Sequence, residues 1–300
     1  MNFRHKRREF LKILGAGAGY VLGGRIFATE SEGRAIPVQR RKFGRHDFAV
    51  SSLCLGGYAL RLASEFWPLR FRMQGKLIPV ERAIEQAKYI DGPVLFTDAA
   101  DATSSGATGD SNAIIRALGE AGYRKNVLAQ IVDPEAARIA HAAGVGAGIA
   151  VRLGGYHDRR RFAPLAVTAT VESLSRGQAR LETMRQRLDA GPTAVLTFDN
   201  FTVVVMSRAV ALFDRAMYHA NGLDPREFDL IVGKSPHMEH HMYDAWVERN
   251  FNVDAPGSTS ANLPSLGHTI CARPIFPLDP DVAFTPRAVV YKAARSVAPA

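Results

Sequence analysis

Short apolar runs separated by polar, glycine-bearing segments recur through the middle of the chain. Val94-Leu95-Phe96-Thr97 lies between Gly92-Pro93 and a group of acids, the pattern of a buried strand in an α/β sheet. Ile114, Ile115, Leu118 and Ala121 follow at helical spacing, with Asp110 or Ser111 placed to cap that helix and Gly122 placed to end it. Asn126 to Val132 reads as a second strand, Asp133-Pro134-Glu135 as the cap of a helix through Ala143, and Ile149 to Leu153 as a third strand. Leu165 to Val171 and Thr193 to Met206 then alternate without a helix between them, which predicts an antiparallel insertion with Asp199-Asn200 as its hairpin turn. Phe213 to Ala220 reads as helix, Phe228 to Val232 as strand and His241 to Arg249 as helix, and the proline-rich tail from Ala272 is expected to lie along the surface. Ahead of this series, Leu62, Phe66, Leu69, Phe71 and Met73 form an apolar set with Arg70 and Arg72 between them, and Pro79 opens a helix over Val80 to Ala87. The whole predicts an α/β fold: a mixed sheet with flanking helices and an antiparallel β insertion.

The loop after the first of these strands, Asp98 to Ser111, concentrates candidate chemistry. It holds Asp98, Asp101 and Asp110, several hydroxyls, and Gly106 and Gly109, at the carboxyl end of a strand, where α/β proteins usually bind ligands. Such a loop can cradle an anion on backbone N–H groups, or aim Asp98 and Asp101 at a metal or a reacting group. It can equally be a helix cap at Asp110, a glycine turn and solvated acids.

Charge narrows the classes of partner. The chain of 300 residues carries a formal charge of +9, but residues 1–50 hold 11 Lys/Arg against 4 Asp/Glu, leaving 27 against 25 in the remainder. A body so close to neutral offers no basic stripe for nucleic acid. The basic leader reads as an address: Lys6-Arg7-Arg8-Glu9-Phe10-Leu11-Lys12 resembles the twin-arginine export motif, and Ile13 to Gly24 is weakly apolar and glycine-rich. Residues 1–28 are expected to be an export signal read by the twin-arginine machinery and to give a periplasmic protein; without export the chain is cytoplasmic. The apolar region falls short of the roughly twenty residues a membrane span takes. Cys54 and Cys271 lie far apart without C-x-x-C spacing and read as small buried hydrophobes. His237 and His241 stand at i, i+4, but Met238 breaks the H-E-x-x-H pattern and Pro236 puts His237 at or before a helix start. The cluster reads as solvated or capping.

Two resemblances complete the picture. Residues 38–58, with Val50-Ser51-Ser52-Leu53-Cys54-Leu55-Gly56-Gly57, resemble the opening hairpin and first strand of aldo-keto reductases, within a linker region of 29–61. Nothing later matches that family's catalytic segments, and a complete TIM barrel takes about 250 residues, so none is expected. The run Thr97 to Leu118, then Val132 to Ala147, Val151 to Gly155, Gly233-Lys234-Ser235, Val253 to Ser260 and Arg273 to Asp279, resembles the carboxy-terminal domain of the microcystinase C (MlrC) family of metallopeptidase-like proteins, block after block in the family's order. The resemblance implies connecting helices over 62–92, with Trp67 and Arg70 fitting that role, the family domain over 93–280 and a tail over 281–300.

In that family the zinc ligands and most of the catalytic apparatus lie on an amino-terminal domain, and no segment here matches it. The carboxy-terminal domain lends its Asp/Gly-rich loop to the cleft between the two. The resemblance therefore implies Asp98, Asp101 and Asp110 as cleft candidates, Ser104, Ser105, Gly106, Gly109, Lys234 and His237 as ligand contacts, no metal ligand and no cofactor in this chain alone. It implies a protein inactive by itself, whose partner is a metal-bearing amino-terminal domain chain or another copy of itself. Two alternatives stand beside it: a peptide or amide hydrolase completed by such a partner, and a periplasmic small-molecule binding or interaction module. Apolar surface stripped of a partner is expected on Leu62 to Met73.

Overall fold

A computed structural model describes residues 40–42, 49–51, 56–236, 238 and 240–284. The chain divides into two compact units, Met1–Ser64 with Arg287–Ala300, and Glu65–Pro286. In the first, strands β1 (Arg40–Lys42) and β2 (Ala49–Ser51) pair antiparallel. Helix α1 (Gly56–Phe66) follows them and runs into the second unit.

The second unit is built on a nine-stranded mixed sheet. Its strands are β3 (Ile78–Pro79), β4 (Val94–Asp98), β5 (Val127–Val132), β6 (Gly148–Leu153), β7 (Leu165–Ser175), β10 (Thr193–Phe198), β11 (Phe201–Met206), β12 (Leu230–Gly233) and β13 (Arg249–Asp254). They lie in the order β3-β13-β4-β12-β5-β11-β10-β7-β6, the pairs from β3 to β11 parallel and those from β11 to β6 antiparallel. β4, β5 and β12 are buried along their whole length, as expected of parallel strands covered on both faces. A separate two-stranded hairpin pairs β8 (Gln178–Arg180) with β9 (Arg187–Asp189).

Helices α2 (Val80–Ala87), α3 (Ala113–Glu120) and α4 (Pro134–Ala143) cover one face. Their small and branched residues Ala83, Ile84, Ile114, Leu118, Ala137 and Ala140 pack on Val94, Phe96, Ala129 and Ile131. The other face is covered by the β8–β9 hairpin, α5 (Ala216–Ala220) and α6 (His240–Tyr243) through Leu181, Leu188, Met217, Tyr218, Met238 and Met242. The mixed sheet, its flanking helices and the antiparallel section are as the periodicity predicts, and the described residues form no closed barrel.

Three predictions are corrected. His241 to Arg249 is not one helix: α6 is a single turn, and Arg249 already belongs to β13, which pairs with β4. β13 escapes detection because its alternation, with Phe251 and Val253 buried between exposed and half-buried polar residues, is short. Asp110 does not cap α3: the cap position is Asn112, without a side-chain cap, while the Ser111 hydroxyl accepts from Ala113 N at 3.3 Å. The β8–β9 hairpin lies where no strand was predicted. The Asp199-Asn200 turn is where expected, with Asp199 at φ 48° between paired Phe198 and Phe201, and Gly122 ends α3 at φ 63°.

Candidate functional site

Three neighbouring parallel strands deliver charged side chains to one place. β4 ends on Asp98, β12 runs into Lys234, and β5 runs into Asp133, which caps α4 through Ala136 N at 2.9 Å. The loop after β4 brings Asp101 and Asp110 to the same end of the sheet. Asp98, Asp101, Asp110, Asp133 and Lys234 are all buried, none more than 2% exposed.

Each acid is held by the fold. Asp98 Oδ1 accepts from the amides of Ala100 and Asp101 at 3.0 and 3.2 Å, closing the turn out of β4. Asp101 Oδ1 accepts from Gly109 N at 2.9 Å and Oδ2 from Ser111 N at 2.7 Å, so that its carboxylate ties the far side of its own loop. Asp110 reaches the loop after β6: Oδ2 accepts from His157 N at 2.6 Å and Asp158 N at 2.9 Å, and Oδ1 from the Thr108 hydroxyl. Asp133 Oδ2 accepts from Gly154 N at 2.8 Å.

Lys234 is the counter-charge. Its ammonium donates to Asp101 Oδ2 at 2.8 Å and to the Ser111 carbonyl at 3.0 Å, and lies 3.8 Å from Asp98 Oδ2. Burial by itself lowers a lysine's proton affinity; here the charges of Asp101 and Asp98 outweigh it and hold Lys234 above its ordinary range. Burial pushes the Asp98 carboxyl up, with the nearby Asp101 charge adding to the rise and Lys234 offsetting part of it. Asp133 is also raised by burial, against the pull of the Ala136 and Gly154 amides.

The segment after β13 seals the loop from the other side. Thr259 Oγ1 donates toward the carbonyls of Ala99 and Ala100 at 2.8 and 3.0 Å and accepts from Ala102 N at 3.1 Å, while Thr259 N donates to Ala100 O at 2.9 Å. A Cβ on Gly257 would stand 2.1 Å from the Ala100 carbonyl oxygen, so only glycine allows this approach.

The nine predicted site residues thus separate. Asp98, Asp101, Asp110, Gly109 and Lys234 come together, but inside the protein, as a connected hydrogen-bond network. Gly109, at φ 78°, packs where a Cβ would meet Thr103 and Val132. Ser104, Ser105 and Gly106 form the exposed tip, the first two in the short 3-10 turn Thr103–Ser105 and Gly106 left-handed at φ 96°. His237 lies outside the described residues; His241 is exposed, its Nε2 3.5 Å from the Thr183 hydroxyl. Cys271 is half-buried with a free thiol, and Cys54 lies outside the described residues. Asp133, Asn112 and Thr259 join the network without having been singled out as site residues. Asn112 Nδ2 donates to the carbonyls of Leu153 and Ala163 at 2.8 and 2.9 Å. Pro134 after Asp133 signals the cap, and nothing local signals the longer reach of either residue.

A zinc site needs three convergent N, O or S ligands and room for an open position. Among the described residues no three His, Cys, Asp or Glu side chains form such a group. The loop acids do not fit one: their oxygens are turned to amides, and the Lys234 ammonium stands between Asp98 and Asp101.

In the second unit Phe66, Leu69, Phe71 and Met73 are all exposed, Met73 at 61%; Leu62, in the first unit, is exposed as well. Arg70 stacks over the Trp67 and Phe71 rings at 4.6 and 4.3 Å, and Phe276 meets both rings edge-on, so the described part of the tail lies along the surface, against residues 67–71.

The family profile "MlrC C-terminus" matches residues 96–269. Microcystinase C from Sphingomonas sp. is 26% identical over 153 residues, which is 51% of this chain and 30% of that protein. The crystal structure of a candidate metallopeptidase from Mesorhizobium sp. BNC1 superposes with a TM-score of 0.66 at 29% identity, over 75% of this chain and 45% of that one. The chain thus spans about a third of the curated relative and less than half of the solved one. With the acid-rich loop, the segment that seals it and every strand from β5 to β13 inside the matched region, and more than half of the sequence matched, the chain belongs to the MlrC C-terminus family.

Proposed function

We propose that this chain is the accessory half of an MlrC-type metallopeptidase assembly, without peptidase activity alone. The observation that carries the reading is the state of the three loop acids: buried, bonded to backbone amides and, for Asp98 and Asp101, partly offset in charge by Lys234. Groups so engaged stabilise a loop and are not poised to bind a metal or move a substrate proton. What the loop offers to a cleft is its outer tip, Ser104 to Gly106, held rigid by the network beneath. A twin-arginine leader would take such a chain, already folded, to the periplasm.

The exposed apolar set from Phe66 to Met73 favours a second element in the same reading, a metal-bearing partner that covers it. The test is elemental analysis of the purified chain with hydrolysis of a panel of linear peptides, with and without added zinc, alone and with a candidate metal-bearing chain. The expected result is no stoichiometric zinc and no turnover alone. About one zinc per chain with zinc-dependent turnover would overturn the reading.

A further inference from the structure

The β8–β9 hairpin carries charge in an arrangement that the fold does not neutralise. Arg180 and Arg187 are direct cross-strand partners. Both are exposed, while the alternate pair Ala179 and Leu188 turns into the core. Like charges directly opposite in an antiparallel pair are unfavourable. Arg185, at the turn, holds a left-handed φ of 59°, uncommon for a residue with a side chain, and Arg176 stands exposed at the base.

The acids nearby are already engaged. Glu182 pairs with Arg215 at 2.6 Å and Asp189 with Arg208 at 2.7 Å. Among the described residues, none of Arg176, Arg180, Arg185 and Arg187 has a carboxylate partner. The scaffold beneath them is rigid. Ala190 N donates to Gly177 O at 2.9 Å, Leu181 N to Gln186 O at 2.9 Å and Glu182 N to Asp214 Oδ2 at 2.8 Å. A Cβ on Gly177 would sit 2.1 Å from the Gly191 carbonyl oxygen.

We propose that the outward face of this hairpin is a docking surface for an acidic polypeptide segment, whose carboxylates bridge Arg180 and Arg187. Cross-strand Cα atoms lie about 4.5–5.5 Å apart, so the two guanidinium groups make one focused site of double positive charge, suited to bidentate carboxylate recognition. The face is only two short strands wide and lacks aromatic residues on which bases would stack. Its one exposed large apolar side chain is Met184 at the tip, too little apolar area to anchor in a lipid interface. A short acidic peptide matches the dimensions and the charge.

The test uses the full chain and a fluorescein-labelled peptide of about ten alternating Asp and Glu residues, read by anisotropy across a salt series. Arg180→Gln with Arg187→Gln is expected to weaken binding about tenfold or more, as for the loss of a bidentate charged pair. The control pair Arg124→Gln with Arg159→Gln removes the same charge from exposed positions elsewhere and is expected to leave binding within about twofold. The hairpin variant is expected to melt no lower than the parent, since it relieves the like-charge pair. Should it fail to fold, Arg187→Gln alone must still weaken the peptide more than either control substitution. Equal weakening by both pairs, or phosphatidylserine vesicles or an oligonucleotide of matched charge binding more tightly than the peptide, would overturn the proposal.

Discussion

Replacing Lys234 by methionine keeps the side chain close to its length and removes the positive charge that it brings to the network. At an effective dielectric of about 20, the 2.8 Å contact with Asp101 and the 3.8 Å contact with Asp98 correspond to attractions of roughly 6 and 4 kcal/mol before desolvation is counted. Desolvation of the ions cancels much of that in the native protein. In Lys234→Met it is left uncompensated on the acids, and breaking a buried pair from one side costs about 3–5 kcal/mol. For a unit of this size that is a fall in Tm of roughly 6–20 °C. The deficit has a defined pH dependence. Asp98 already has a folded pKa above its unfolded value near 3.8, so the folded state binds the proton more tightly than the unfolded state. Its contribution is then most favourable at low pH and is lost as pH rises through the window between the two values. Without Lys234 that window widens upward, and the difference between variant and parent shrinks on acidification from pH 7.5 toward pH 5. Urea melts of both proteins at the two pH values measure it. A loss below about 1 kcal/mol at pH 7.5, or a deficit that grows on acidification, would refute Lys234 as the stabilising counter-charge of the network.

Gly257→Ala tests the seal over the loop: its Cβ meets the Ala100 carbonyl oxygen at 2.1 Å and carbon at 2.4 Å. Because both are backbone, the expected cost is about 1–3 kcal/mol in a urea melt. Gln130, 1% exposed on β5, has neither amide atom hydrogen-bonded among the described residues. Gln130→Met is therefore expected to stabilise by about 1 kcal/mol or more, and a loss in the same melt would show that the amide is satisfied by water. Met73→Ser, at a side chain 61% exposed, is expected to lower the sedimentation-equilibrium mass of any self-associated species toward that of the 32.7 kDa chain, with little change in the melt.

Long, strongly apolar elements were legible in the sequence because burial fixes their pattern. Val94–Asp98 and Val127–Val132 read as buried strands, and Asp133-Pro134 announces a helix start whose cap the structure shows, with Ala136 N bonded to Asp133. β13 was not legible. Its membership of the sheet depends on pairing with β4, more than a hundred residues earlier in the chain, and no local signal encodes that partner. The β8–β9 hairpin was missed for a related reason: only Ala179 and Leu188 face inward, so its short strands read as a polar, arginine-rich loop.

The loop from Asp98 to Ser111 shows how far residue type alone carries a functional assignment. Acids, hydroxyls and glycines at the carboxyl end of a strand are what a ligand site needs, and also what a sharp, buried turn needs. Backbone amides inside a protein must find acceptors, and a carboxylate can satisfy two or more of them at once. Asp98, Asp101 and Asp110 together accept from six backbone amides, and Lys234, arriving from β12, balances part of their charge. The deciding information is that Lys234 lies 133 residues from the acid it pairs with. The sequence shows each charge, while only the strand order β4-β12-β5 shows that they meet, in one buried hydrogen-bonded network beneath the exposed tip of the loop.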